Sequence, residues 1–172
     1  MQILIISDSH DNEKNIKFVL NKIDELEIHV LLHCGDLVDP SMFKLFEDIS
    51  LPIYYVFGNN EGMTEEIIAE CERLGITWYL DVGEFEIDGK KIAITHYPKV
   101  ASSLATFGSF DLICFGHSHR KGKEKMKNGG WLVNPGTLGG VFHEPSFATY
   151  DTETNEAIIH ELGIRQKSYH FE

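Results

Sequence analysis

Along the first half of the chain, short apolar runs alternate with segments in which apolar residues recur every three or four positions. Gln2–Ser7, QILIIS, is a continuous apolar run of strand length that ends in a polar loop. From Asn12 to Glu27 the residues Ile16, Val19, Leu20, Ile23 and Leu26 make one helical stripe. The alternation then repeats. HVLLHC (His29–Cys34) predicts a second buried strand, and PSMFKLFEDI a short helix with Pro40 at its start. PIYYVF (Pro52–Phe57) predicts a third strand, followed by a helix over Thr64–Leu74 that Gly75 closes. Strand and helix in this order predict parallel strands joined by right-handed crossovers.

The second half changes character. GEFEIDGKKIAIT predicts two strands around an Asp88-Gly89 turn. A small helix near Lys99–Phe107 leads into DLICF (Asp111–Phe115), and KEKMKNGGWLVN reads as another hairpin. FATYDTETNEAIIHEL reads as a third, turning at Thr152–Asn155. Parallel units followed by hairpins predict an α/β fold with mixed sheets. No repeat, low-complexity tract or linker interrupts the 172 residues, so residues 1–172 are read as a single domain. The tail GIRQKSYHFE carries no periodicity and predicts no element.

Polar residues with chemical potential cluster where these apolar strands end. Asp8-Ser9-His10-Asp11 follows the first, Cys34-Gly35-Asp36 closes the second, and Gly58-Asn59-Asn60-Glu61 follows the third. KIAIT runs into His96, and DLICF into Gly116-His117-Ser118-His119. Singly, each has an ordinary use as a turn, helix cap or surface histidine. Two histidines at i and i+2 on extended backbone point the same way, which makes GHSH the most specific fragment. Jointly the ends of strands in an α/β sheet are where ligands bind. Four of the nine histidines, two aspartates and one asparagine stand there. Imidazole, carboxylate and amide oxygen are ligands for borderline divalent ions such as Mn, Fe, Zn, Co or Ni. Seven candidates exceed one tetrahedral ion and suit two ions that share a carboxylate, the arrangement that clamps phosphoryl oxygens. His33, in a buried strand near Asp36, is a candidate for orienting it.

Composition narrows the partners. A net charge of −12 argues against a nucleic-acid polymer or an anionic membrane, since a polyanion needs a broad basic face. A small anionic substrate remains open where a metal supplies the positive centre. Cys34, Cys71 and Cys114 are odd in number and form no C-x-x-C pair, which predicts a reducing, cytoplasmic setting. MQILIISD lacks the basic start of a signal peptide, and no apolar run reaches the length of a membrane span. A homo-oligomer is left open.

The ordered set D-x-H (Asp8, His10), G-D (Gly35, Asp36), G-N (Gly58, Asn59), His96 and G-H-x-H (Gly116, His117, His119) resembles the calcineurin-like metallophosphoesterases. The short length and NPGT (Asn134–Thr137) look most like their small bacterial and archaeal phosphodiesterase branch. The resemblance implies a four-layer sandwich of two mixed sheets flanked by helices. It also implies that Asp8, His10, Asp36 and His119 hold one divalent ion and Asp36, Asn59, His96 and His117 a second, with Asp36 bridging. Mn is expected first, with Ni, Zn, Fe or Co as alternatives. Gly58 would let the backbone turn Asn59 inward.

The implied activity is phosphodiester hydrolysis by a hydroxide held between the two ions, with Asp36, Asn60 and His117 as catalytic residues. Many relatives carry a histidine where Asn60 stands, and that histidine is thought to protonate the leaving group. Its replacement argues for diesters over monoesters. Some relatives place a basic residue soon after NPG; Leu138–Ser146 has none, leaving His143 beside Asn60 as a substrate-binding candidate. The alternative is an interaction scaffold, because the family includes a trafficking-coat subunit that works mainly by binding partners.

Overall fold

The computed structural model describes residues 1–163, so the tail from residue 164, with His170, lies outside the described residues. In chain order the strands are β1 (Gln2–Ile6), β2 (Ile28–His33), β3 (Ile53–Val56), β4 (Thr77–Tyr79), β5 (Val82–Ile87) and β6 (Lys90–Thr95). They continue as β7 (Leu112–Cys114), β8 (Gly122–Lys125), β9 (Trp131–Asn134), β10 (Ser146–Asp151) and β11 (Glu156–Glu161). They form a six-stranded sheet ordered β11-β10-β1-β2-β3-β4 and a five-stranded sheet ordered β5-β6-β7-β9-β8. β1 to β4 run parallel, and β10 and β11 add antiparallel at the other side of β1. In the second sheet β6, β7 and β9 run parallel, while β5 and β8 pair antiparallel.

The uninterrupted apolar runs have a plain cause: both faces of β1 and β2 are covered. Leu4 and Ile6 face a core shared with the helices, while Ile3 and Ile5 face the core between the sheets. That inner core joins Val30, Leu32 and Val56 to Ile92, Ile94, Leu112 and Val133 of the second sheet. The helices α1 (Glu13–Leu20) and α2 (Thr64–Leu74) and a 3₁₀ helix (Pro40–Phe46) cover the outside of the first sheet through Ile16, Val19, Ile67 and Phe43. α3 (Pro98–Phe107) packs Ala101 and Leu104 against Ala93 and Ile113 on the outside of the second. Helix, sheet, sheet and helix make the expected four layers.

The hairpins fall where the pattern puts them. Asp88 and Gly89 both have positive φ (52° and 72°), the requirement of a tight primed turn. Three local readings need correction. The stripe from Asn12 to Glu27 is helical only to Leu20. Beyond it the N–H groups of Lys22 and Ile23 bond three residues back, to Val19 and Leu20, and Ile28 N–H closes on Ile23. Asn21 and Asp24 favour turns over helix, and the chain must reverse at once to begin β2. Ile23 and Leu26 still pack on the helix-side core, so the stripe records burial and not continuous helix. The segment after Pro40 is a 3₁₀ helix. β4 goes unannounced because none of its residues is buried and only its backbone pairing with β3 makes it a strand.

Removal of Ile5, fully buried between the sheets, tests this layering. Ile5→Ala should lower the unfolding free energy by about 2–5 kcal/mol, read from denaturant melts. Ile23→Ala, at a half-buried position, should cost clearly less.

Candidate metal centre

The parallel directions of β1, β2, β3, β6 and β7 bring their carboxyl ends to one edge of the sandwich. Backbone bonds lock the loops that leave them. Asp8 N–H donates to Gly35 O and His10 N–H to Asp36 O, each at 2.9 Å, and Gly116 N–H donates to His96 O at 3.1 Å. Contacts also cross between the sheets, among them His117 N–H, which reaches the Asp8 carboxylate at 3.1 Å.

The seven residues collect as two groups that meet at Asp36. Asp8, His10, Asp36 and His119 each offer a ligand atom, all within 4.8 Å of one another. On the other side, Asn59 Oδ1 lies 2.7 Å from His117 Nδ1 and 3.0 Å from His96 Nε2. His96 Nε2 stands 3.6 Å from Asp36 Oδ1, and His10 Nε2 stands 3.7 Å from Asp36 Oδ2.

Tautomers decide whether a cation suits this place. His119 Nδ1 donates to the Val141 carbonyl (2.9 Å) and His96 Nδ1 to the Cys34 carbonyl (2.8 Å). A carbonyl only accepts, so Nδ1 carries a proton in both rings, and in the metal-binding tautomer each ring turns a bare Nε2 inward. Each bare nitrogen faces another acceptor: Asp8 Oδ1 at 3.2 Å from His119, and Asn59 Oδ1 from His96. Lone pairs so directed repel unless positive charge sits among them. Divalent ions supply it, and the donor types match borderline metals.

Residues 1–155 match the calcineurin-like phosphoesterase superfamily domain. The chain belongs to this superfamily. It is 30% identical to Phosphodiesterase MJ0936 of Methanocaldococcus jannaschii over 169 residues, 91% of this chain and 96% of the relative. An archaeal phosphodiesterase of solved structure superposes with a TM-score of 0.87 at 28% identity, covering 94% of this chain and all of that one. Vps29 of Entamoeba histolytica, solved with zinc, shares the fold with a TM-score of 0.67 at 18% identity, over 94% and 91% of the two chains.

In this superfamily member, G-N-N-E has a structural logic. Glu61 Oε1 accepts N–H bonds from Asp36 (2.7 Å) and Gly58 (2.9 Å) and the Tyr55 hydroxyl at 2.5 Å. It thereby ties the β2 loop to the β3 loop. Asn60 turns toward Asp36: its side chain donates to Oδ2 at 2.7 Å, and the N–H groups of Asn59 and Asn60 donate to Oδ1. Burial pushes the Asp36 carboxyl up, but His96, these Asn60 donors and His10 outweigh it and hold it below its usual range. Burial pushes Asp8 up, and the Ser7 hydroxyl, His96 and His119 only partly oppose this.

Two expectations about the backbone are corrected. His117 and His119 are not extended; their φ angles are 68° and 58°, and the rings go to different groups. Asp8, His10, Asp11 and Asp36 are also left-handed. Such conformations cost on the order of 1 kcal/mol each and persist where surrounding bonds over-determine them. Gly58 has no positive φ; it is glycine because a Cβ would collide with the Asp36 carboxylate.

Other supporting residues lie outside the motifs. Thr137 Oγ1 and Gly139 N–H both donate to the Asp8 carbonyl (2.9 Å each), which gives NPGT a bracing role. His33 is braced too. Gly35 N–H donates to its Nδ1, so Nε2–H donates to Ser9 Oγ, which in turn donates to the Asp36 carbonyl. It steadies the backbone of Asp36, not the carboxylate. His143 is exposed and lines a hollow of about 280 Å³ with His119, Arg120, Lys121 and Glu144. Arg120 and Lys121 of H-S-H-R-K bring basic side chains to this hollow, whereas none follows NPG; Lys121 pairs with Glu161. Spatial closeness revealed them; their sequence signal was only adjacency to His119.

Two outcomes follow from this packing. Gly58→Ala should weaken divalent-metal binding by at least about tenfold while the chain stays folded, as read by calorimetric titration. Burial lowers His33 to about 3, so its neutral form is the native one. The unfolded chain takes up a proton below pH 6.5 that the native chain refuses, and stability falls as pH drops from there. In metal-free protein this residue alone should remove about 2 kcal/mol by pH 5. His33→Gln should flatten that part of the stability profile.

Proposed function

We propose that the protein is a metal-dependent phosphodiesterase acting on a small phosphodiester. The observation that carries this reading is the convergence of acceptor lone pairs from His119, Asp8, His96 and Asn59 around Asp36. Asp8, His10, Asp36 and His119 would hold one divalent ion, and Asp36, Asn59, His96 and His117 a second, with Mn the first choice. Such a pair, when bound, neutralises phosphoryl oxygens and lowers the pKa of water. The diester preference draws support from the archaeal relative named a phosphodiesterase.

The chain's own groups then have separate tasks. Asp36 spans the two halves, held by Asn60 and by the backbone N–H groups beside it. His117 is exposed at the mouth, where it would meet the incoming phosphoryl group. Asn60 has no readily transferable proton, so an alkoxide leaves without help while an aryl oxide of low pKa does not need it. Three buried free thiols, Cys34, Cys71 and Cys114, suit a reducing cytoplasm. Among the described residues no helix is long and apolar enough to cross a membrane. The shared core between the sheets supports reading the chain as one domain. A scaffold function would not need a competent ligand at every one of the seven metal positions, so the enzyme is preferred.

Elemental analysis after reconstitution with Mn should give about two ions per chain, and Asp36→Asn should lose both together. One ion in the natural protein, or full content in the variant, would contradict the bridge. With metal content held equal, activated aryl diesters should react faster than alkyl diesters by about 10²–10⁴-fold, with weak monoester turnover. A rate insensitive to leaving-group pKa would reveal another acid. His29→Ala should leave turnover unchanged. His160→Ala should also spare turnover but lower stability, since its ring stacks on Phe147 at 4.7 Å.

A further inference from the structure

Phe142 is 89% exposed, and its backbone is left-handed, with φ 64°. A bulky aromatic residue rarely holds that conformation, and burial does not compensate it here. The flanking residues of the loop impose it. Leu138 and Gly139 are clamped to the first loop through N–H bonds to Ser7 and Asp8. Their own carbonyls accept the side-chain amides of Asn15 and Asn12. Gly139 sits so close that a Cβ would come within 2.8 Å of the Ser9 carbonyl. Val141 is held by the His119 Nδ1 proton, and Ser146 by bonds to Thr137 and Pro135. Between these anchors the loop bows outward and presents the ring beside the site.

The ring lies 5.6 Å from the His119 ring, inclined by 35°. One of its edges borders an open hollow of about 490 Å³ shared with Gly140, His143, Glu144 and Pro145. His143 and Glu144 continue into the smaller hollow under His119 and Arg120. The two hollows thus offer an ester substituent of a phosphoryl group beside His119 a path over an exposed aromatic face. An exposed aromatic face beside a phosphoryl site offers planar rings a stacking partner.

Resting on the phosphodiesterase reading, we infer that Phe142 is the platform of a specificity subsite for an aromatic group, aryl or nucleobase, on the diester. His143 and Arg120 border the subsite, and Arg120 makes no side-chain ion pair or hydrogen bond among the described residues. Lys121 is engaged by Glu161 and is not counted as part of it.

Phenyl p-nitrophenyl phosphate and methyl p-nitrophenyl phosphate release the same leaving group and differ only in the retained substituent. The natural protein should favour the phenyl ester in kcat/KM, and Phe142→Ala should reduce the phenyl-to-methyl ratio about tenfold, with Phe142→Trp keeping it. An equal loss on both esters, or an unchanged ratio, overturns the subsite. Calorimetry with phenylphosphonate and methylphosphonate on the Mn-loaded protein separates this outcome from failure of the phosphodiesterase reading. If neither ester turns over, that reading fails, yet a phenyl preference in binding that Phe142→Ala removes still supports the subsite. Equal binding of the two phosphonates, or none of either, overturns it. So does a change in sedimentation on Phe142→Ala that marks the ring as a contact between copies.

Discussion

A single buried carboxylate, Asp36, organises the open edge of the two sheets. Removed from water, it must have its lone pairs met, and it draws donors from three sides: two backbone N–H groups and the amide of Asn60. Its own N–H goes to Glu61, and its carbonyl accepts from His10 and Ser9. Imidazoles of His10 and His96 approach its two oxygens from opposite groups. The positions of Gly58, Glu61, His33 and Asn60 follow from the need to hold this one group still.

Strain around it has the same origin. Asp8, His10, Asp36, His117 and His119 adopt left-handed backbone because extended strands cannot turn five side chains to one point. The strain is carried by the inner core, where Ile3, Ile5, Leu32, Ile92 and Ile94 are fully buried. Stability supplied by packing holds conformations that the local sequence would not choose.

The pattern of the chain shows most of the layering, because buried parallel strands and tight hairpins leave strong periodic or turn signals. It misses what backbone pairing alone creates, as in β4, and it overextends a helix where Ile23 and Leu26 stay buried in turns. The ordered motifs mark the residues that gather at the site, since each stands at the end of an apolar run. They do not reveal that Glu61 is a clasp between loops or that Gly58 is a matter of clearance. Nor do they show that Arg120 and Phe142 border the entrance. Those properties arise from contacts between segments far apart in sequence, which periodicity does not encode.

The proposed ligands are divided between the sheets: Asp8, His10, Asp36 and Asn59 come from one, His96, His117 and His119 from the other. Neither sheet alone carries a complete set. A competent centre therefore exists only where the two sheets are docked. A bound cation would act as a fastener closed after docking. Its influence belongs to the lifetime of the assembled state, slowing escape from it more than hastening arrival.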